Sequence, residues 1–163
     1  MTDEARWQLA QVNIGRLKQP LDHPATRDFV GNLERINALA DRQPGFVWRP
    51  IGDGDGSFDV IELDEPLVVL NLSVWTDPES LAAFVYRTAH REVMRRRREW
   101  FEAMEVYLAL WWVPAGHRPT PAEAVEQLAH LQRHGPSARA FTFRELFAAP
   151  DGAGFGPILD ECA

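Results

Sequence analysis

Apolar and polar residues alternate from Trp7 to Arg16, with Ala10, Val12 and Ile14 on one side and Leu9, Gln11 and Asn13 on the other. That period of two predicts a half-buried strand. After a turn at Pro20–Pro24 the period lengthens. Phe29, Val30, Leu33, Ile36, Leu39 and Ala40 recur at helical spacing, which predicts a helix from about 25 to 42, ended by Pro44-Gly45. Gly45–Arg49 reads as a short strand, and GDGDGS (52–57) as a turn across which Phe58–Leu63 pairs back as a hairpin. The turn lacks the Gly-Lys-Ser/Thr ending of a phosphate loop and the ligand spacing of a calcium loop.

Leu67–Trp75 is the strongest strand, with Val68, Leu70, Leu72 and Val74 on one face and Leu67, Val69, Asn71, Ser73 and Trp75 on the other. Asp77-Pro78-Glu79 opens a helix, capped by Thr76 or Asp77 with proline near its first position. Tyr107–Val113 is a further strand. Thr120-Pro121-Ala122-Glu123 is a capping box, and the helix it starts buries Ala124, Val125, Leu128 and Leu131 before Gly135-Pro136. Arg139–Phe143 reads as a last short strand. The order β-α-β-β-β-α-β-α-β predicts an α+β, ferredoxin-like antiparallel sheet with helices on one face. It forms one domain over 1–147, followed by a Gly- and Ala-rich tail over 148–163. Because both faces of 67–75 are apolar, a second copy is expected to cover the face the helices leave open, as an isologous homodimer.

Residues 78–104 have helical character throughout, yet their apolar stripe changes phase. At about 100° per residue, Leu81, Phe84, Val85 and Ala89 fall on one side, and Val93, Met94, Trp100, Phe101 and Met104 on another. A straight helix cannot bury both sets, so a break is expected near Thr88–Arg91. In the second set His90 and Arg97 lie within the apolar stripe. A buried cation needs a partner or a ligand. Arg97 either pairs with Glu105, Asp28 or Glu34, or holds an anionic group in a pocket between helix and sheet. His90 is either a hydrogen-bonded structural histidine, an acid–base group, or a metal or haem-iron ligand.

Composition narrows the function. The 163 residues carry 24 acidic and 17 basic side chains, a net charge of −7, which argues against a nucleic-acid partner. The four arginines 95–98 wind around their helix rather than forming one basic face. No apolar run is long enough to span a membrane, and MTDEARWQ lacks a signal-peptide pattern, so a cytoplasmic location is expected. The single Cys162 excludes an intrachain disulfide and a cysteine zinc cage. His130 and His134 stand one helical turn apart without a third ligand nearby in sequence, so no metal site is assigned. The pattern holds neither a Gly-x-Ser-x-Gly nor a Cys-x-x-Cys motif.

The stretch VLNLSVWTDPESLAAFVYRTAHREVMRRRREWF (69–101) resembles the strand–helix signature of dimeric α+β barrel proteins, which include the antibiotic-biosynthesis monooxygenases and haem-using relatives. From Trp7 to about Phe147 the chain is similar to a bacterial domain-of-unknown-function family within that superfamily. The similarity is carried by QVNIGRL (11–17), GFVWR (45–49), NLSVW (71–75), FVYRTAH (84–90), RRREWF (96–101), LWWVPAGHRPT (110–120) and AFTF (140–143). The resemblance implies a homodimer with one pocket per subunit. It also implies cofactor-independent, monooxygenase-like or isomerase-like chemistry on an aromatic or polyketide-like molecule. His90, Arg97 and Asn71 are then the catalytic candidates, and Asn13, Trp48, Trp75, Tyr86 and Trp111 the ligand-binding ones. The alternatives are a non-catalytic dimer that binds a small hydrophobic or aromatic ligand, and a haem enzyme with His90 as axial ligand.

Overall fold

The computed structural model describes residues 6–51, 61–65, 67–88, 90–104 and 106–151. In chain order these form β1 (Trp7–Arg16), α1 (Arg27–Arg42), β2 (Phe46–Trp48), β3 (Ile61–Glu62), β4 (Val68–Trp75), α2 (Pro78–Arg87), α3 (His90–Arg95), α4 (Arg97–Trp100), β5 (Leu108–Pro114) and α5 (Pro121–His134). The sheet order is β2-β4-β1-β5, every pairing antiparallel, with β3 also on the outer edge of β4. Since β1 and β2 both oppose β4, and β4 and β5 both oppose β1, each helical connection skips one strand. Two interlocked split β-α-β units result, the ferredoxin-like arrangement of an α+β domain.

Register decides what each face carries. Ala10 stands between Val74 and Trp111, and Val12 between Leu72 and Ala109. These side chains are buried with Ala124, Leu128 and Leu131 of α5. On the opposite face Leu9, Trp75 and Leu110 are buried with Ile36 and Ala40 of α1 and Leu81 and Phe84 of α2. Trp100 of α4 joins Phe29, Val69 and Phe101 at the other end of that face. Helices α1 to α4 thus share one face as the pattern predicts, while α5 crosses to the other. The apolar face of β4 that was expected to await a second copy is covered within the chain.

Four local expectations are corrected. Ile61 and Glu62 pair with Leu70 and Val69 of β4, not with β2, because β2 reaches only Val74 and Trp75 and leaves that stretch of the edge open. Residues 52–60, which hold the GDGDGS turn, lie outside the described residues. The expected strand at 139–143 keeps one bridge to β5, in which Phe141 and Leu110 exchange backbone hydrogen bonds of 2.9 and 2.8 Å. Backbone bonds from Ser137 to Ala140 and from Glu145 to Thr142 bend the chain away on either side. Val125, expected in the core, is 40% exposed and faces away from the sheet. Ala149, within the expected tail, is buried.

The helix starts behave as the sequence requires. Asp77 accepts a 2.7 Å bond from the Ser80 N–H, and Thr120 a 3.1 Å bond from the Glu123 N–H. Gly45 has φ of 88°, and a Cβ there would collide with Ser80, so glycine is required at this turn. Among the described residues no helix is long and apolar enough to cross a membrane.

Candidate functional site

The phase change in the middle of the chain becomes two breaks. Thr88 takes an extended conformation (ψ of −178°) and ends α2, and its hydroxyl donates to the Phe84 carbonyl. A threonine hydroxyl that bonds one turn back competes with the helix ladder. Arg96 then interrupts the path between α3 and α4 with φ of −87° and ψ of 1°. These breaks turn Val93, Met94 and Arg97 toward the sheet, where they help wall a cavity of about 130 Å³. Its other walls come from α1 (Phe29, Leu33, Ile36, Asn37, Ala40), from α2 (Leu81, Phe84) and from one face of β1 and β4. An apolar hollow with a few convergent polar groups is the usual form of a small-molecule site.

The floor is a ladder of polar side chains. Asn13 stands opposite Asn71, and Gln11 opposite Ser73. Gln11 Nε2 donates to Asn71 Oδ1 at 2.9 Å and to Ser73 Oγ at 2.7 Å. Asn13 Nδ2 donates to Gln11 Oε1 at 3.3 Å and to Asn71 Oδ1 at 3.5 Å. The Trp75 indole N–H donates to the same Ser73 Oγ at 2.9 Å. Ser73 therefore accepts two N–H groups, and among the described residues its own O–H donates to none. The Asn71 amide N–H groups are likewise uncommitted there. The Ser73 hydroxyl and the Asn71 amide are left over as donors and Asn13 Oδ1 as an acceptor, so the floor suits a ligand with acceptor oxygens and room for one hydroxyl.

Two arginines line the cavity, Arg49, which pairs with Asp41 at 2.8 Å, and Arg97. One of the terminal nitrogens of Arg97, Nη2, donates to the Ile14 carbonyl at 3.1 Å, and its guanidinium lies 4.8 Å from the Phe101 ring centre and 4.2 Å from that of Tyr107. Among the described residues no carboxylate pairs with it. Asp28, one of the expected partners, binds Arg96 instead at 2.9 Å, and Glu105 lies outside the described residues. Burial lowers the Arg97 pKa from its ordinary value, and Tyr107 opposes that only in part. An arginine stays protonated under such a shift at neutral pH. The result is a cation held by a carbonyl and two aromatic faces inside a cavity whose described lining has no Asp, Glu or His.

A family model for a domain of unknown function (DUF3291) matches residues 8–154. The chain belongs to this family. None of the curated proteins matches the DUF3291 chain. Among solved structures, it is similar to a conserved protein from Methanosarcina mazei Go1, with 16% identity, a TM-score of 0.47, and 70% of this chain and 98% of that one covered. SnoaB, a cofactor-independent oxygenase from Streptomyces nogalater, gives 16%, 0.46, 70% and 97%. A protein of unknown function from Nitrosomonas europaea gives 14%, 0.46, 71% and 96%. At these identities no residue role passes from those proteins to this one.

Of the residues singled out in the sequence, the DUF3291 fold brings Asn13, Asn71, Trp75 and Arg97 to one cavity. It places Trp48 and Trp111 elsewhere. Trp48 pairs with Val74 and Trp111 with Ala10, which sets both on the α5 face, where the Trp111 indole donates to Glu123 at 3.2 Å. Tyr86 packs its ring against Phe143, with centroids 5.7 Å apart, and does not line the cavity. His90 begins α3, and its side chain lies outside what the structure describes. Sequence reasoning missed Gln11, Ser73, Tyr107 and Asn37. The first two had a signal, because each shares the strand face of an asparagine already chosen.

Proposed function

We propose that the cavity binds a small aromatic or polyketide-like molecule through an acidic oxygen, and that the protein transforms it without a cofactor. The observation that carries this reading is Arg97, a charged group without a carboxylate partner among the described residues, aimed into an apolar hollow beside the uncommitted donors of Ser73 and Asn71. An enolisable ligand losing a carbon-bound proton places its negative charge on oxygen. Arg97, Ser73 and Asn71 offer donors to that oxygen, which is electrostatic stabilisation of a developing anion. His90, at the head of α3, is proposed to take the proton. In oxygenation the enolate then reduces O2: a CH2 becomes C=O, and the second oxygen atom leaves as water. In isomerisation the proton returns to a different carbon.

Anthrone, whose CH2 is acidified by its ring ketone, is a suitable probe. Oxygen uptake above the buffer rate is expected with the wild type and is expected to fall at least tenfold in Arg97→Gln and His90→Ala. Equal uptake by all three would overturn the reading. A second reading, binding without turnover, is favoured by one observation: the described lining holds no carboxylate or imidazole to act as base. Anthrone bound without oxygen uptake or isomerisation would select it. Self-association as a homodimer is proposed on the family resemblance alone, since α5 covers the face that first suggested it, and light scattering decides it.

A further inference from the structure

Asn37 is out of place on its helix. Leu33, Ile36 and Ala40 share its side of α1 and are apolar, and all four line the cavity. The residue is 5% exposed, its Nδ2 is fully buried, and that atom has no hydrogen-bond partner among the described residues. Native interiors pair nearly all such groups, and an unpaired one destabilises the folded chain. Leucine would fit this helix face better in every physical respect except one, namely that it cannot donate a hydrogen bond.

The position of the amide says which part of a ligand it meets. Arg97 stacks on Phe101, which is buried with Phe29 and Trp100 at one end of this face. Asn37 belongs to the turn of Ile36 and Ala40, which are buried with Trp75 at the other end. We infer that Asn37 is a ligand-binding residue that donates to a neutral carbonyl oxygen at the end of the ligand remote from its acidic oxygen. The preferred ligands are then aromatic acids or enols that also carry a ketone, aldehyde or quinone oxygen across the ring system. This rests on the reading of the cavity as an anion site held by Arg97, and it adds a second, uncharged recognition point on the α1 wall.

Calorimetric titration of a matched pair, 2-naphthoate and 6-acetyl-2-naphthoate, tests it on the whole chain. The wild type is expected to bind the acetyl compound about fivefold tighter, the gain typical of one neutral hydrogen bond. Asn37→Leu should erase that preference and raise the melting temperature by relieving the unpaired amide. Asn37→Asp, which removes the donor, should erase the preference while lowering the melting temperature. Arg97→Gln should weaken both compounds at least tenfold while keeping their ratio. An undiminished preference in Asn37→Leu, or a lower melting temperature for that variant, overturns the role of Asn37 and leaves the anion site standing. Unchanged affinities in Arg97→Gln overturn the anion site instead, and failure of both compounds to bind the wild type overturns both.

Discussion

The guanidinium of Arg97 lies 4.2 Å from the centre of the Tyr107 ring, so a residue from α4 and one just before β5 meet over the cavity. A cation over an aromatic face is held by about 0.5–2 kcal/mol, more as water is excluded. The ring also fixes which way the guanidinium points, and a loose arginine would lose part of its affinity to ordering. We expect Tyr107→Leu to weaken 2-naphthoate binding about two- to thirtyfold by calorimetry, the fold-change that this energy range implies. Tyr107→Phe keeps the ring face and should stay within about twofold of wild type. Equal losses in the two variants would show that the hydroxyl, not the ring, matters.

Gln11 joins the polar floor to itself. Its amide donates to Asn71 and Ser73 and accepts from Asn13. Gln11→Leu is close in size but strands three polar partners on a face that is largely buried. Leaving such groups unpaired costs about 1–3 kcal/mol. Urea unfolding should show a free energy lower by that amount, seen as a lower midpoint with an unchanged slope, since the surface exposed on unfolding is the same. A neutral or stabilising effect would mean that the ladder contributes nothing to folding, and that water satisfies its members as well as Gln11 does.

Asp77 makes the stability acid-sensitive. Partial burial pushes its carboxyl pKa up. The N–H and hydroxyl of Ser80 and the hydroxyl of Thr76 outweigh this and hold it below the ordinary aspartate value. A group whose pKa is depressed by folding stabilises the fold above its unfolded value, near about 3.9. That contribution is lost as pH falls through the lower, folded value. Asp77→Asn retains an acceptor for the Ser80 N–H but cannot titrate. Its melting temperature should fall less steeply than that of the wild type between about pH 4.5 and 2. Parallel curves would remove Asp77 from the acid response.

The sequence alone determined most of the elements and the first of the two places where the long central helix fails. Alternation in 7–16 and 67–75, the caps at Asp77 and Thr120, and the stops at Pro44-Gly45 and Gly135 are local matters. Dihedral preference and side-chain periodicity settle them within a few residues. The phase change near Thr88 was legible for the same reason, as was the pairing of Asn13 and Asn71 on like-facing positions. Tertiary structure alone decided which face each aromatic residue serves. Trp48 and Trp111 look like pocket walls in sequence, and only the register that sets them beside Val74 and Ala10 sends them under α5. It also decided that α5 crosses the sheet, that Arg96 rather than Arg97 takes Asp28, and that Asn37 Nδ2 has no partner among the described residues. These are relations between residues distant along the chain, set by strand register and helix packing, and a one-residue slip in register exchanges the two faces of a strand.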